Sequence, residues 1–181
     1  GFHAIHYSFS ENNKGLANSI IYGVSEIVNE YGKVIVIEDD LVLMPNFLNY
    51  INQGLDYYEN NQEVMSICGH SCKVKTPNDY PYDAYFFTRS SSWGWGTWKD
   101  RWNLVDWQLD NWDEVVANRK AFVKSQGSDV YKMLRDWKMG KNRSWAIRFC
   151  YSQFVHKRLS VIPNKSLVNN EGFNGDGTNC R

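Results

Sequence analysis

The sequence predicts an α/β domain built on a mixed, mostly parallel β-sheet flanked by helices. Three observations predict it. Val34, Ile35, Val36 and Ile37 follow one another without polar alternation, the pattern of a strand covered on both faces in a parallel sheet. Before that run, Leu16, Ile20, Ile21, Val24, Ile27 and Val28 recur at helical spacing. Strand-like and helix-like segments then alternate along all 181 residues, a length that suits one domain spanning 1–181.

The elements follow in order. Residues 3–9, HAIHYSF, alternate loosely and predict a short strand, which ENNKG breaks. A helix over 16–31 ends at Gly32, the residue favoured just past a helix C-terminus. The strand 33–37 comes next. Pro45 opens a second helix that runs to about Asn60. VMSICGH is another buried strand, SCKVKTPNDYPYD a loop, and AYFFTR a short strand leading into SSSWGWGTW. Residues 98–104 read as helical, NWDEVVANRKAFVKS and DVYKMLRDWKMG as amphipathic helices, and SWAIRFCYSQFVHKR as a further helix. LSVIPNKSLVNN is a strand followed by a turn, and the Gly- and Asn-rich tail is a loop.

Lys plus Arg and Asp plus Glu are 20 each, so the chain lacks the basic surplus that a nucleic-acid partner calls for. No apolar run is long enough to span a bilayer, so no transmembrane segment is expected. Cys68 and Cys72 flank His70, too few ligands for a zinc centre. With Cys150 and Cys180 they read as reduced structural thiols of a cytoplasmic protein, at most seated at the inner face of the membrane. Many of the aromatic residues fall between Tyr80 and Trp112, a clustering that suits a groove for a flat ligand such as a sugar ring.

The apolar strand ends on Glu38, Asp39 and Asp40. In open parallel sheets ligands bind beyond the carboxyl ends of the strands. Adjacent carboxylates repel one another, and a divalent cation relieves the repulsion. Mg²⁺ typically takes one or two carboxylates and completes its shell with substrate phosphates. The bland alternative is a solvated strand end. The renewed apolar run Leu41–Met44 weighs against it by fixing the acids in place.

The segment VIVIEDDLVLMPNFLNYINQGLDYY resembles the metal-binding segment of GT-A fold glycosyltransferases. It is most similar to N-acetylglucosaminyltransferase I and to bacterial family 2-like sugar transferases. NNKGLANSI, SSSWGWGTWKDRW and SWAIRFCYSQFVHKRLSVIPNKSLVNNEGFNGDGTNC resemble, in order, the turn and helix before the metal strand, the acceptor-side loop and the C-terminal helix–strand–loop. The resemblance implies a DxD-type motif in which Asp40 coordinates Mn²⁺ or Mg²⁺, with Glu38 and Asp39 contacting the nucleotide-sugar. It implies metal-dependent transfer from a nucleotide-diphosphate sugar, a UDP-sugar above all, to a glycan or lipid-linked acceptor in polysaccharide synthesis. It also implies that the chain is the C-terminal portion of the catalytic domain, its nucleotide-binding part lying upstream, so that this segment alone binds donor weakly or not at all.

Trp93 and Trp95 would stack on a sugar or shape the donor pocket, with Gly94 allowing close approach. Trp98 and Trp102 read as core. Relatives carry a general base at the start of the C-terminal helix, where this chain has Ala146. Asp106 and Asp110 are the substitutes, with Asp136 behind them, although Asp110 also suits a helix N-cap. Arg148 would pair with a buried acid or a phosphate. His3, His6, His70 and His156 show no ligand spacing and read as packing or surface residues, and Asn179 carries no role. The missing acid leaves a second reading open, a non-catalytic carbohydrate-binding or scaffold module on the same fold.

Overall fold

The computed structural model describes residues 3–71, 74 and 76–172. Cys72, Asn179, Cys180 and the Gly-rich tail from 173 lie outside the described residues.

Helix α1 (Leu16–Tyr31) forms where the spacing puts it and ends at Gly32, whose φ of 80° only glycine adopts without strain. It runs directly into β1 (Lys33–Val36). The acids 38–40 follow as a turn, then β2 (Leu41–Leu43), α2 (Phe47–Tyr57), β3 (Val64–Cys68), β4 (Ala84–Phe87) and β5 (Trp95–Trp98). Four helices come next, α3 (Lys99–Trp102), α4 (Trp112–Ala117), α5 (Arg119–Gln126) and α6 (Ser128–Lys138). Helix α7 (Ala146–Val155) leads to β6 (Leu159–Pro163) and β7 (Val168–Asn170).

The main sheet has the order β1-β5-β3-β6-β4. It is mixed, but mostly antiparallel rather than mostly parallel. Only β3 and β6 pair in parallel, while β1–β5, β3–β5 and β4–β6 are antiparallel. The cause is β5, drawn from the Gly- and Trp-rich segment, which inserts between β1 and β3. Those two strands therefore point the same way without touching. The carboxyl ends of β1, β3 and β6 still share one edge of the sheet, with the amino end of β5 between the first two. Strand β1 lies at the sheet's margin and its residues are half-buried, not covered on both faces.

The remaining departures are local. Residues 3–9 are exposed and form no strand. The helix expected over 111–125 is split by Asn118, whose side chain donates back to the Glu114 carbonyl at 3.0 Å. Competition of this kind is why Asn interrupts helices.

Apolar side chains fill both faces of the sheet. Val24 and Val28 of α1 meet Trp95, Trp102, Trp145 and Phe149 on one face. Phe47, Ile51 and Leu55 of α2 meet Val64, Ile67, Trp98 and Val161 on the other. A third cluster, around Leu109, Phe122, Leu134 and Tyr151, joins α4–α7. Trp98 and Trp102 are both core, but they belong to opposite faces. Trp98 donates to the Leu55 carbonyl and Trp102 to Ser25 Oγ.

Candidate metal and sugar site

The acid-bearing corner is assembled from two distant stretches of chain. Past β1 the backbone turns, with the Leu41 N–H donating to the Glu38 carbonyl at 3.2 Å. Strand β2 then pairs antiparallel with β7, setting Leu41 opposite Asn170. That register brings Asn170 Nδ2 to within 3.2 Å of Asp40 Oδ2 and the Glu171 N–H to 2.9 Å from the Asp40 carbonyl. Gly172 closes over the carboxylate so tightly that a Cβ there would lie 2.6 Å from Oδ2.

The other carboxylate oxygen, Asp40 Oδ1, is buried and has no hydrogen-bond partner among the described residues. A buried unpaired polar atom costs about 1–3 kcal/mol, and more if charged, so it calls for a ligand. Glu38 is partly buried beside it, and Asp39 is exposed. Burial, then the neighbouring Asp40 and Asp39 charges, push the Glu38 carboxyl above its ordinary value. Among the described residues no three His, Cys, Asp or Glu side chains gather into a ready ligand set. The corner is thus not a closed protein cage, and a cation there would have to draw most of its ligands from outside these side chains.

Glu38 gives the first testable outcome. Its folded-state pKa is raised, so folding favours the protonated acid. That contribution is complete below the ordinary value near 4.5 and is lost as pH rises through the raised value. Metal-free Glu38→Gln protein should melt about 1–3 °C above wild type at pH 7.5 and level with it at pH 4. Equal melting at both pH values would contradict the strain assigned to this corner.

A polar, aromatic face lies at the same sheet edge, beyond β3. His70 Nδ1 is 3.2 Å from Ser91 Oγ, and its ring meets Trp93 edge-on at 4.4 Å. Ser71 Oγ lies 3.3 Å from Tyr85 Oη, and the Tyr50 hydroxyl is buried without a partner among the described residues. Burial lowers the His70 pKa and raises that of Tyr50. Backbone bonds tie this face to the acid corner. The Gly69 N–H donates to the Gly94 carbonyl, the Leu167 N–H to the Gly69 carbonyl, and the Met44 N–H to the Leu167 carbonyl.

Several residues singled out in the sequence take other roles. Trp95 is 2% exposed and stacked against Trp145 and Trp102 at 5.0 and 5.9 Å, so it offers no ring face to a ligand. Trp93 is half-buried at the edge, against His70. Gly94 is required by packing. Its φ is +62°, and an added Cβ would lie 2.8 Å from Phe47 and 3.0 Å from Val168. Gly94→Ala is expected to lower stability by about 1–3 kcal/mol in urea denaturation. A change below about 0.5 kcal/mol would mean that Phe47 has room to move.

Asp106 is occupied by its own loop. Oδ1 accepts from the Gln108 N–H, while Oδ2 accepts from the Asp110 N–H and from Tyr151 Oη. These bonds hold the turn leading to α4, which argues against a free base. Asp110 is exposed. The α4 N-cap is Asn111, with no side-chain cap, so Asp110 does not serve as one either. Arg148 meets no acid among the described residues. It donates to the Ser144 and Trp107 carbonyls and lies between the Trp107 and Trp137 rings, and burial lowers its pKa. Cys68 and Cys150 are free, buried thiols.

Two surface hollows lie elsewhere. One of about 900 Å³ is lined by residues of α4–α6, Arg119, Lys124 and Tyr131 among them. Another of about 670 Å³ runs between α2 and the sheet beside Tyr50, Tyr57 and Tyr58. No helix of the described residues is long and apolar enough to cross a membrane.

No protein-family model matches the chain, and no curated protein matches it. The sequence reading placed His70 among packing or surface residues. It stands just past the fully buried strand VMSIC with Gly69 between, as Glu38 stands past β1 with Ile37 between.

Proposed function

We propose that the chain carries the metal-binding and acceptor-side part of a nucleotide-sugar glycosyltransferase of GT-A type. The observation that carries this reading is the Asp40 carboxylate, held past a strand's carboxyl end with one buried oxygen that has no partner among the described residues. The raised Glu38 carboxyl beside it and the His70–Trp93 face on the same edge add support. A bound Mn²⁺ or Mg²⁺ would neutralise the charge of a departing diphosphate. Asp40 would hold it through Oδ1, Asn170 orienting the carboxylate from Oδ2. Glu38 and Asp39 would face the donor, and Trp93 would present its ring to a sugar.

Calorimetry of the full-length protein with Mn²⁺ and UDP, followed by UDP-release assays with UDP-sugars, tests the reading. Metal-dependent UDP binding with sugar turnover is expected, and absence of both would sink it. A second reading, a carbohydrate-binding module without catalysis, draws on one observation: the first turn of α7 carries no acid. Under it, glycan affinity would persist without metal and UDP would not be released.

A further inference from the structure

We propose that His70 is the general base of this site and accepts the proton of the attacking acceptor hydroxyl; this rests on the transferase reading above. The carboxylates that would otherwise do so are spent or misplaced. Both Asp106 oxygens hold the 106–110 loop, Asp110 is exposed and its N–H is tied to Asp106, and α7 begins without an acid.

The placement of His70 is the positive argument. It follows β3 on the edge where β1 delivers the acids, and its neighbour Gly69 is linked through Leu167 to the start of the segment after β2. The Ser91 contact at Nδ1 and the Trp93 ring fix the imidazole from two sides. Among the described residues nothing hydrogen-bonds Nε2. When Nδ1 carries the ring hydrogen and donates to Ser91 Oγ, Nε2 presents a lone pair. Burial disfavours the imidazolium and so favours the neutral ring.

The step balances. The acceptor O–H gives its proton to Nε2 while its oxygen forms a bond to the anomeric carbon. The bond from that carbon to the diphosphate oxygen breaks, and its electron pair leaves with the nucleoside diphosphate. Deprotonation of His70 to solvent resets the site.

The titratable groups on the elements packed nearby are Cys68 on β3, Tyr50 on α2 and Tyr85 on β4, with Glu38, Asp39 and Asp40 past the end of β1. Burial raises both Cys68, to about 11, and Tyr50, so neither ionises near neutrality. Glu38 is the group whose titration could imitate that of His70, and ionisation enthalpy separates an imidazole from a carboxylate.

The test uses full-length protein, Mn²⁺, UDP-glucose or UDP-N-acetylglucosamine, and p-nitrophenyl glycosides as acceptors. His70→Ala and His70→Gln should each lower kcat by about 10²–10⁴-fold, with the donor KM changed less than about threefold. Added imidazole should restore part of the His70→Ala rate. The wild-type acidic limb should carry the ionisation enthalpy of an imidazole, a readout that needs no variant to fold. Wild-type turnover with a carboxylate-like limb, or a variant keeping more than about a tenth of kcat, overturns the assignment while leaving the transferase reading intact. Wild-type protein that neither binds UDP with Mn²⁺ nor releases UDP overturns both.

Discussion

Asp40→Asn is expected to lower metal-dependent turnover of the full-length protein by about 10²–10³-fold, equivalent to about 3–4 kcal/mol of transition-state stabilisation. The side chain keeps its shape, so the pairing of β2 with β7 should survive and melting should change little in the absence of metal. What is lost is the anionic oxygen that has no partner among the described residues. Mn²⁺ binding in the presence of UDP, read by electron paramagnetic resonance, should weaken in parallel, giving a readout independent of turnover. An Asp40→Asn protein with wild-type Mn²⁺ affinity would remove the centre of the proposed function. Asn170→Ala should act in the same direction but more mildly, because it frees the carboxylate to rotate without removing its charge.

Arg101→Met should cost about 3–5 kcal/mol of folding stability, the largest single loss expected in the chain. Arg101 is 2% exposed. It donates to the Tyr58, Glu59, Asn61 and Val64 carbonyls, pairs with Asp100, and lies 4.5 Å over the Trp98 ring. One guanidinium thus ties the end of α2, the turn after it and the start of β3 to the short helix α3. Methionine fills similar space but takes the guanidinium away from all four carbonyls, of which Tyr58 and Asn61 keep the Asn61 and Val64 N–H groups as donors. Arg101→Lys should recover little, since one ammonium cannot reproduce the planar fork. Urea denaturation monitored by tryptophan fluorescence measures the effect, and a loss under about 1 kcal/mol would show that water replaces the guanidinium readily.

How far the sequence could be read depended on whether local pattern or distant pairing decides an element. Helix α1 was legible because six apolar residues and Gly32 act within a few turns of one another. The sheet's direction was not, because nothing near Val34 states that β5 will lie beside it. Strand β5 was itself hidden: Trp95–Gly96–Thr97–Trp98 has the composition of a ligand loop. Yet Gly96 is there so that Ile51 and Leu55 of α2 can press against the strand. Asp106 and Asp110 looked free on paper because hydrogen bonds within a loop leave no periodic trace. In the acid corner the three carboxylates were visible as a cluster, but the Asn170 and Gly172 that shape it were not, since their pairing with Asp40 comes from the register of β7. The position of His70 was open to the same reading as the acids, and its partner Ser91 was not.

Asp40 and Asn170 are 130 residues apart along the polypeptide, so the cradle around the carboxylate cannot close until the segment carrying Asn170 has been made. Closing so long a loop is slow compared with forming α1 or α2, and the ordering entropy must be recovered from contacts made late. A nascent or clipped chain ending before Val168 would hold most of its interior and still leave Asp40 uncradled.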